Sequence, residues 1–425
     1  MSLRRFTSGE WEAAGLGRSR HDLGASPEQQ AAVREICDSV AARGDAALLE
    51  YGRRFDGWAP EPGERLALGP DRLRLALDGL AAPDREALET AARRIQAFHA
   101  AQTYSDVIGP DGLKLLTRPV TRAGLYVPGG RAAYPSTVLM TAIPARVAGV
   151  REVVVATPPA ADGTVQPAIL AAAAIAGVDA VYRMGGAQAI AALAFGTESV
   201  PRVDMIAGPG NVYVTLAKRE VFGTVGIDAL AGPTEIMVLA DGGAPAHLVA
   251  ADLASQLEHD PMAWAVLVTD SPGLADAVEE AFSDQLRELD RAETVAAAHC
   301  CLVLVGSLEE GVGLANAFAP EHLEIVTENP ERLLGQIENA GAVFLGPHTP
   351  VSLGDYVIGP NHTLPTGGSA RFSSPLGVYS FLKRTSVAEV TRGELADLGG
   401  AARRLAELEG LTAHARAIEV RLDDD

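Results

Sequence analysis

From residue 125 to about residue 345 the sequence alternates short apolar runs with alanine-rich stretches of helical period, a rhythm that few folds accept for so long. A strand that leads into a helix and then into another strand of the same sheet returns parallel to the first, by a right-handed crossover. The repeat therefore predicts parallel sheets with helices on both faces. One series has strands at 152–156, 180–184, 203–206 and 235–239, each preceded by a helical run, at 136–150, 167–177, 187–195 and 212–222. A second has strands at 264–268, 302–305, 323–326 and 343–345. The expected class is α/β, with two doubly wound, Rossmann-like domains in succession and small helical segments at both ends.

At 425 residues the chain is too long for one ordinary core, which agrees with two main domains. Ahead of the alternating region, Val33, Ile36, Cys37 and Val40 recur at spacings of three and four, and Pro83-Asp84 opens a second helical run ending near Phe98. Residues 394–420 form another helical pattern, and residues 423–425 are expected to fray. A net charge of -20 opposes phosphate backbones and anionic membranes, so neither nucleic acid nor lipid is expected as the main partner. Residues 1–20 lack the continuous apolar core of a secretory signal, and no later run suits a bilayer span, so a cytoplasmic protein is expected. Cys37, Cys300 and Cys301 lack zinc-type spacing and fit reduced structural thiols.

Doubly wound sheets bind ligands beyond the carboxyl ends of their strands, which directs attention to the turns there. The G-x-G-x-x-G fingerprint is absent. In its place stand Gly185-Gly186-Ala187-Gln188 and Gly208-Pro209-Gly210-Asn211, each opening a helix where backbone N–H groups can meet a phosphate. Glycine also serves plain tight turns, so this feature leaves both readings open. Gln256 and His259, three apart within Ser255-Gln256-Leu257-Glu258-His259, share a helix face and can hold a metal, or simply end a helix. Pro320-Glu321-His322-Leu323 sets an acid beside an imidazole just before a strand, the pairing used for general base work, though solvated loop residues read the same way. The glycine-, proline- and serine-rich stretch 354–374 reads as an active-site loop and adds Asp355 and His362. With His259 and His414 these offer nitrogen and oxygen ligands suited to zinc, but no spacing rule joins positions so far apart.

At these motifs the sequence resembles the histidinol dehydrogenase family, from about Val33 through His414. The match also takes in Gly124-Leu125-Tyr126-Val127-Pro128-Gly129-Gly130, Ala231-Gly232-Pro233-Thr234-Glu235, Gly354-Asp355-Tyr356, Asn361-His362 and Leu411-Thr412-Ala413-His414. The resemblance implies an aldehyde-dehydrogenase-like architecture. It further implies four-electron oxidation of L-histidinol, by way of L-histidinaldehyde, to L-histidine with two NAD, the closing steps of histidine biosynthesis. One Zn2+ per subunit is implied on Gln256, His259, Asp355 and His414, with Glu321 and His322 as catalytic bases. Tyr126, Gln188 and Asn211 are implied to contact NAD, and Thr234, His362 and Glu409 to line the substrate pocket together with His322 and the zinc ligands. Thr234 departs from the family, which commonly carries serine there: the hydroxyl is kept and a methyl added. A homodimer is implied, its carboxyl-terminal tail completing the neighbour's site.

The organisation expected on this basis is an extension over 1–25, then a first α/β domain from 26–125 and 236–380 holding metal and catalytic residues. Residues 126–235 would form the NAD-binding α/β domain, and 381–425 a helical tail. Two rivals are a zinc- and NAD-dependent dehydrogenase of another small amino or sulfo alcohol, and a regulator that kept the fold without the chemistry. His362, Glu409 and His414 together oppose the first, and the intact Glu321-His322 pair opposes the second. A cysteine-based thiohemiacetal route finds no support, because none of the three cysteines falls in a motif.

Overall fold

Successive residues of the strand Glu235–Ala240 point alternately into two different cores. Ile236, Val238 and Ala240 pack with Leu253 and Leu257 of the helix Ala246–Leu257 on one face. Met237 and Leu239 pack with Val312, Ala315 and Phe318 of the helix Leu308–Phe318 on the other. A strand covered on both sides has no solvent face, which is why its sequence runs apolar without a break from Ile236 to Ala240. Each fully buried Leu or Ile there contributes about 1.5–3 kcal/mol.

The computed structural model describes residues 3–17, 25–110, 112–129 and 133–423. Gly130 and residues 424–425, named above, lie outside them; Asp423 caps the last helix. The chain divides into two compact units, residues 1–102 with 120–381, and residues 103–119 with 382–425.

Among its described residues the first unit holds two six-stranded sheets. One runs in the order Ala67–Leu68, Ala180–Arg183, Glu152–Thr157, Arg122–Tyr126, Met205–Ala207, Gly226–Ile227, all parallel except the first pairing. The other runs Arg4–Thr7, His299–Leu304, Trp264–Thr269, Glu235–Ala240, His322–Val326, Ala342–Leu345, parallel throughout. The expected α/β class and doubly wound sheets are what the structure has.

Several expected boundaries differ. Residues 1–25 are more than an extension, since Arg4–Thr7 pairs with His299–Leu304 and Trp11, fully buried, packs against Phe6, Trp264 and Phe318. Residues 26–125 were expected with 236–380, yet their helices cover the other sheet. Pro27–Arg43, opened by a Ser26–Gln29 capping box, turns Val33, Ile36, Cys37 and Val40 onto Tyr126, Val154 and Ile190. Ala82–Ala100 turns Ala91, Ala92 and Ile95 onto Leu125, Leu139 and Val155. Helical period reveals which face is buried, but not which sheet buries it. The strand at 235, assigned above to the first series, is central in the second sheet, because its backbone pairs with Trp264–Thr269 and His322–Val326.

In the second unit Val107–Ile108, Lys114–Pro119 and Leu382–Val387 form an antiparallel sheet. The tail from 381 is thus not wholly helical as expected. Its helices follow as Arg392–Leu408, opened by a Thr391–Glu394 capping box, and Thr412–Leu422.

Candidate active site

Register at the amino edge of the second sheet assembles the acid and the imidazole. Ile236 stands opposite His322, which places the residues before the two strands side by side. Glu321 Oε2 accepts the Thr234 hydroxyl at 2.6 Å and the Glu235 N–H at 3.0 Å. Burial nevertheless raises its carboxyl to about 8, outweighing those hydrogen bonds. The Gln256 amide donates in turn to the Thr234 hydroxyl, so Thr234 links Gln256 to Glu321. The hydroxyl that this residue shares with serine is the part that works.

His322 is 3% exposed and its Nδ1 lies 3.0 Å from the Glu235 carbonyl oxygen. A carbonyl only accepts, so Nδ1 carries the hydrogen and the lone pair is left on Nε2. Nε2 is buried with no hydrogen-bond partner, Asp355 Oδ1 standing 3.8 Å away. Desolvation holds the imidazole below its usual pKa, against the pull of Asp355. An imidazole in this state can take up a proton at Nε2.

Asp355 belongs to the short helix Val351–Tyr356, and its backbone carbonyl accepts from His362 Nδ1 at 2.8 Å. His362 Nε2 lies 3.4 Å from the Thr137 hydroxyl, and desolvation depresses the ring to about 4, so it stays neutral. Gln256 closes the helix Ala246–Leu257 and His259 lies just past its end. Thr234, Gln256, His259, Glu321, His322, Asp355 and His362 all line one cavity of about 270 Å³. Seven residues scattered over 129 positions thus converge, which no spacing rule anticipates.

Among the described residues no three His, Cys, Asp or Glu side chains form a complete metal cluster. The Gln256 amide, the His259 imidazole and the Asp355 carboxylate nonetheless face the same cavity, and oxygen with imidazole nitrogen is a donor set that suits zinc. Glu409 and His414 belong to the second unit, both exposed, on either side of the turn between its two helices.

The glycine turns lie at the carboxyl edge of the first sheet, and Pro209 and Gly210 line the same cavity. Gly208 has φ +113°, and a Cβ there would collide with the Tyr126 carbonyl, so glycine is required. Lys218 and Asp228 form a buried ion pair behind this turn. Lys218 Nζ donates to the Gly208 carbonyl at 3.1 Å and Asp228 Oδ2 accepts the Gly208 N–H at 2.7 Å. At the other turn the Tyr126 hydroxyl accepts the Gly186 N–H at 3.0 Å. Asp56 Oδ2 accepts from Gly185 N–H at 3.2 Å and from the Gln188 amide at 3.3 Å. The chain's own Asp56 thus holds the residue that leads into that helix and the Gln188 side chain, and Asn211 caps the next helix through Tyr213 and Val214 N–H. Tyr126 and Gln188 thus both bond at this turn, Tyr126 to the Gly186 N–H and Gln188 to Asp56. Asp56, Lys218 and Asp228 carried no signal in the sequence, since their partners lie up to 132 residues away.

The three cysteines are buried in three different cores, and burial pushes their thiols up to about 12, 12 and 11 for Cys37, Cys300 and Cys301. None is an activated nucleophile.

The family model described as Histidinol dehydrogenase matches residues 19–422. A histidinol dehydrogenase from Parasynechococcus marenigrum is 51% identical over 400 residues, covering 92% of this chain and 91% of that protein. The crystal structure of histidinol dehydrogenase from Elizabethkingia anophelis superposes with a TM-score of 0.91 at 34% identity, covering 99% of this chain and 98% of that one. An aldehyde dehydrogenase from Bartonella henselae, at 13% identity, TM-score 0.50 and coverage of 89% and 91%, shares the fold alone. With the family model and a half-identical relative both spanning nearly its full length, the chain belongs to the histidinol dehydrogenase family.

Proposed function

We propose that this protein oxidises L-histidinol, through L-histidinaldehyde, to L-histidine with two molecules of NAD. The observation that carries the reading is the His322 imidazole, its Nδ1 hydrogen committed to the Glu235 carbonyl and its Nε2 lone pair unpartnered at the cavity, beside Glu321. Bound zinc would fix the amino alcohol's nitrogens, and NAD would accept the hydride at each oxidation, but neither takes up the protons. His322 Nε2 removes the hydroxyl proton in the first oxidation. Burial disfavours the imidazolium, so that proton leaves readily before the second round. Glu321 takes a proton from water as it adds to the aldehyde, and His322 then deprotonates the hydrate. Running both oxidations in one cavity shields the aldehyde from side reactions.

Gln256, His259 and Asp355 would hold the zinc with His414 of a second copy. Tyr126, Gln188 and Asn211 would contact NAD, and Thr234, His362 and Glu409 the substrate. The dimer is supported by the tail helices, which leave Leu398, Leu405, Leu408 and Leu411 exposed. Among the described residues no helix is long and apolar enough to cross a membrane. A cytoplasmic location is proposed with the biosynthetic role.

The test is stoichiometric. Zinc-loaded protein given limiting L-histidinol should form two NADH per substrate consumed, and a ratio of one would exclude the four-electron reading. Because Glu321 must be ionised to act, kcat/KM for histidinaldehyde should rise with pH and level off above about 8. A profile flat from pH 6 to 9 would remove Glu321 from this step.

Subunit mixing tests the shared site. One chain carries His322→Asn and the other His414→Ala, each homodimer being inactive. If the tail acts in trans, the isolated heterodimer has one site with both lesions and one intact, and recovers about half the normal activity. A heterodimer as inactive as its parents rules the shared site out.

A further inference from the structure

Four of the cavity's groups depend on three separate elements, and one contact between carboxyls reaches all three. Gln256 and His259 depend on the helix Ala246–Leu257, His322 opens the strand His322–Val326, and Asp355 sits on the helix Val351–Tyr356. Asp252 lies one turn before Gln256, and Glu324 lies two residues after His322 on the same side of its strand. Glu324 is 2% exposed, and its Oε1 accepts the N–H of Val351, one turn before Asp355, at 3.1 Å. Its Oε2 is buried and meets no N–H or hydroxyl donor. The group within hydrogen-bond reach of Glu324 is the half-buried carboxyl of Asp252.

Two ionised carboxylates held together out of water repel strongly, and among the described residues no cation offsets the charge of either one. A single proton between them replaces that repulsion with a hydrogen bond. Burial raises Asp252 to about 6 and Glu324 well above the usual carboxylate range, in keeping with a retained proton. Neither group has a part in the chemistry proposed above.

We propose that Asp252 and Glu324 share one proton and act as positioning residues, an acid–acid bridge that ties together the elements carrying Gln256, His259, His322 and Asp355. Its catalytic consequence rests on the function proposed above; its protonation does not.

Infrared spectra of the full-length protein at neutral pH provide the direct test. A carboxylic-acid carbonyl band is expected that shifts in D2O and disappears in both Glu324→Gln and Asp252→Asn. If neither variant removes a band from the wild-type spectrum, the shared proton is refuted. Glu324→Gln can still accept from Val351 and donate to Asp252, so it should retain most of kcat. Glu324→Leu breaks both contacts and should lower kcat by about a hundredfold, the effect of an ångström-scale misplacement, with KM for NAD unchanged. Equal damage by the two folded variants, or full activity in Glu324→Leu, would overturn the positioning role. Should Glu324→Leu fail to fold, the same comparison is made with Asp252→Asn as the sparing variant and Asp252→Leu as the disruptive one. A band present in protein that turns over no histidinol would refute the proposed function and leave the bridge standing.

Discussion

His322→Asn should slow the oxidation of both histidinol and histidinaldehyde by about a hundred- to ten-thousandfold, the usual worth of a positioned base. The asparagine amide can still donate to the Glu235 carbonyl, as His322 Nδ1 does at 3.0 Å, so the fold keeps its contact while the Nε2 lone pair is lost. Glu321→Gln should separate the two steps. Its amide oxygen can accept the same Thr234 hydroxyl and Glu235 N–H, now bonded at 2.6 and 3.0 Å, but it cannot take a proton from water. Oxidation of the alcohol should therefore persist, with one NADH released promptly, while the aldehyde step falls by a similar hundred- to ten-thousandfold. Rapid-quench assays with each substrate measure both steps. If Glu321→Gln oxidises the aldehyde at the wild-type rate and fails on the alcohol, water activation does not belong to Glu321.

On the proposed zinc site, His259→Ala should abolish turnover and leave the fold intact. His259 is exposed, follows the end of its helix, and belongs to none of the hydrophobic cores, so its removal opens no cavity. Losing a ligand should weaken zinc binding by more than the roughly ten- to hundredfold that loss of an outer-shell partner costs. Metal analysis of the dialysed protein should find it depleted, and circular dichroism should match wild type. A variant without zinc that keeps full activity would end the metal-anchored reading.

The proposed bases were legible in sequence as a dipeptide, Glu321-His322, but their state was not. What leaves the His322 Nε2 lone pair open is a hydrogen bond from Nδ1 to a carbonyl 87 residues away, and what raises Glu321 is burial. The metal-type donors were legible one by one, and the cavity that gathers Gln256, His259 and Asp355 was not. Asp56 is the sharpest omission. A lone acid after a helical run carries no pattern, yet it accepts the Gly185 N–H in a turn that the sequence left open between a phosphate site and a plain turn.

The sequence by itself determined the α/β class, the run of parallel strands from 152 to 345, the buried faces of the amino-terminal helices and, through its motifs, the family. These are local properties, set by hydrophobic period, turn chemistry and residue identity over a few positions. Only the tertiary structure decided that the helices of 26–100 cover the first sheet, that Arg4–Thr7 completes the second, and that the tail begins with the strand Leu382–Val387. It alone brought Asp252 to Glu324 and fixed the His322 tautomer. Each of these depends on which distant surface a segment buries against, and the period of a helix or strand constrains the face that is buried while leaving its partner free.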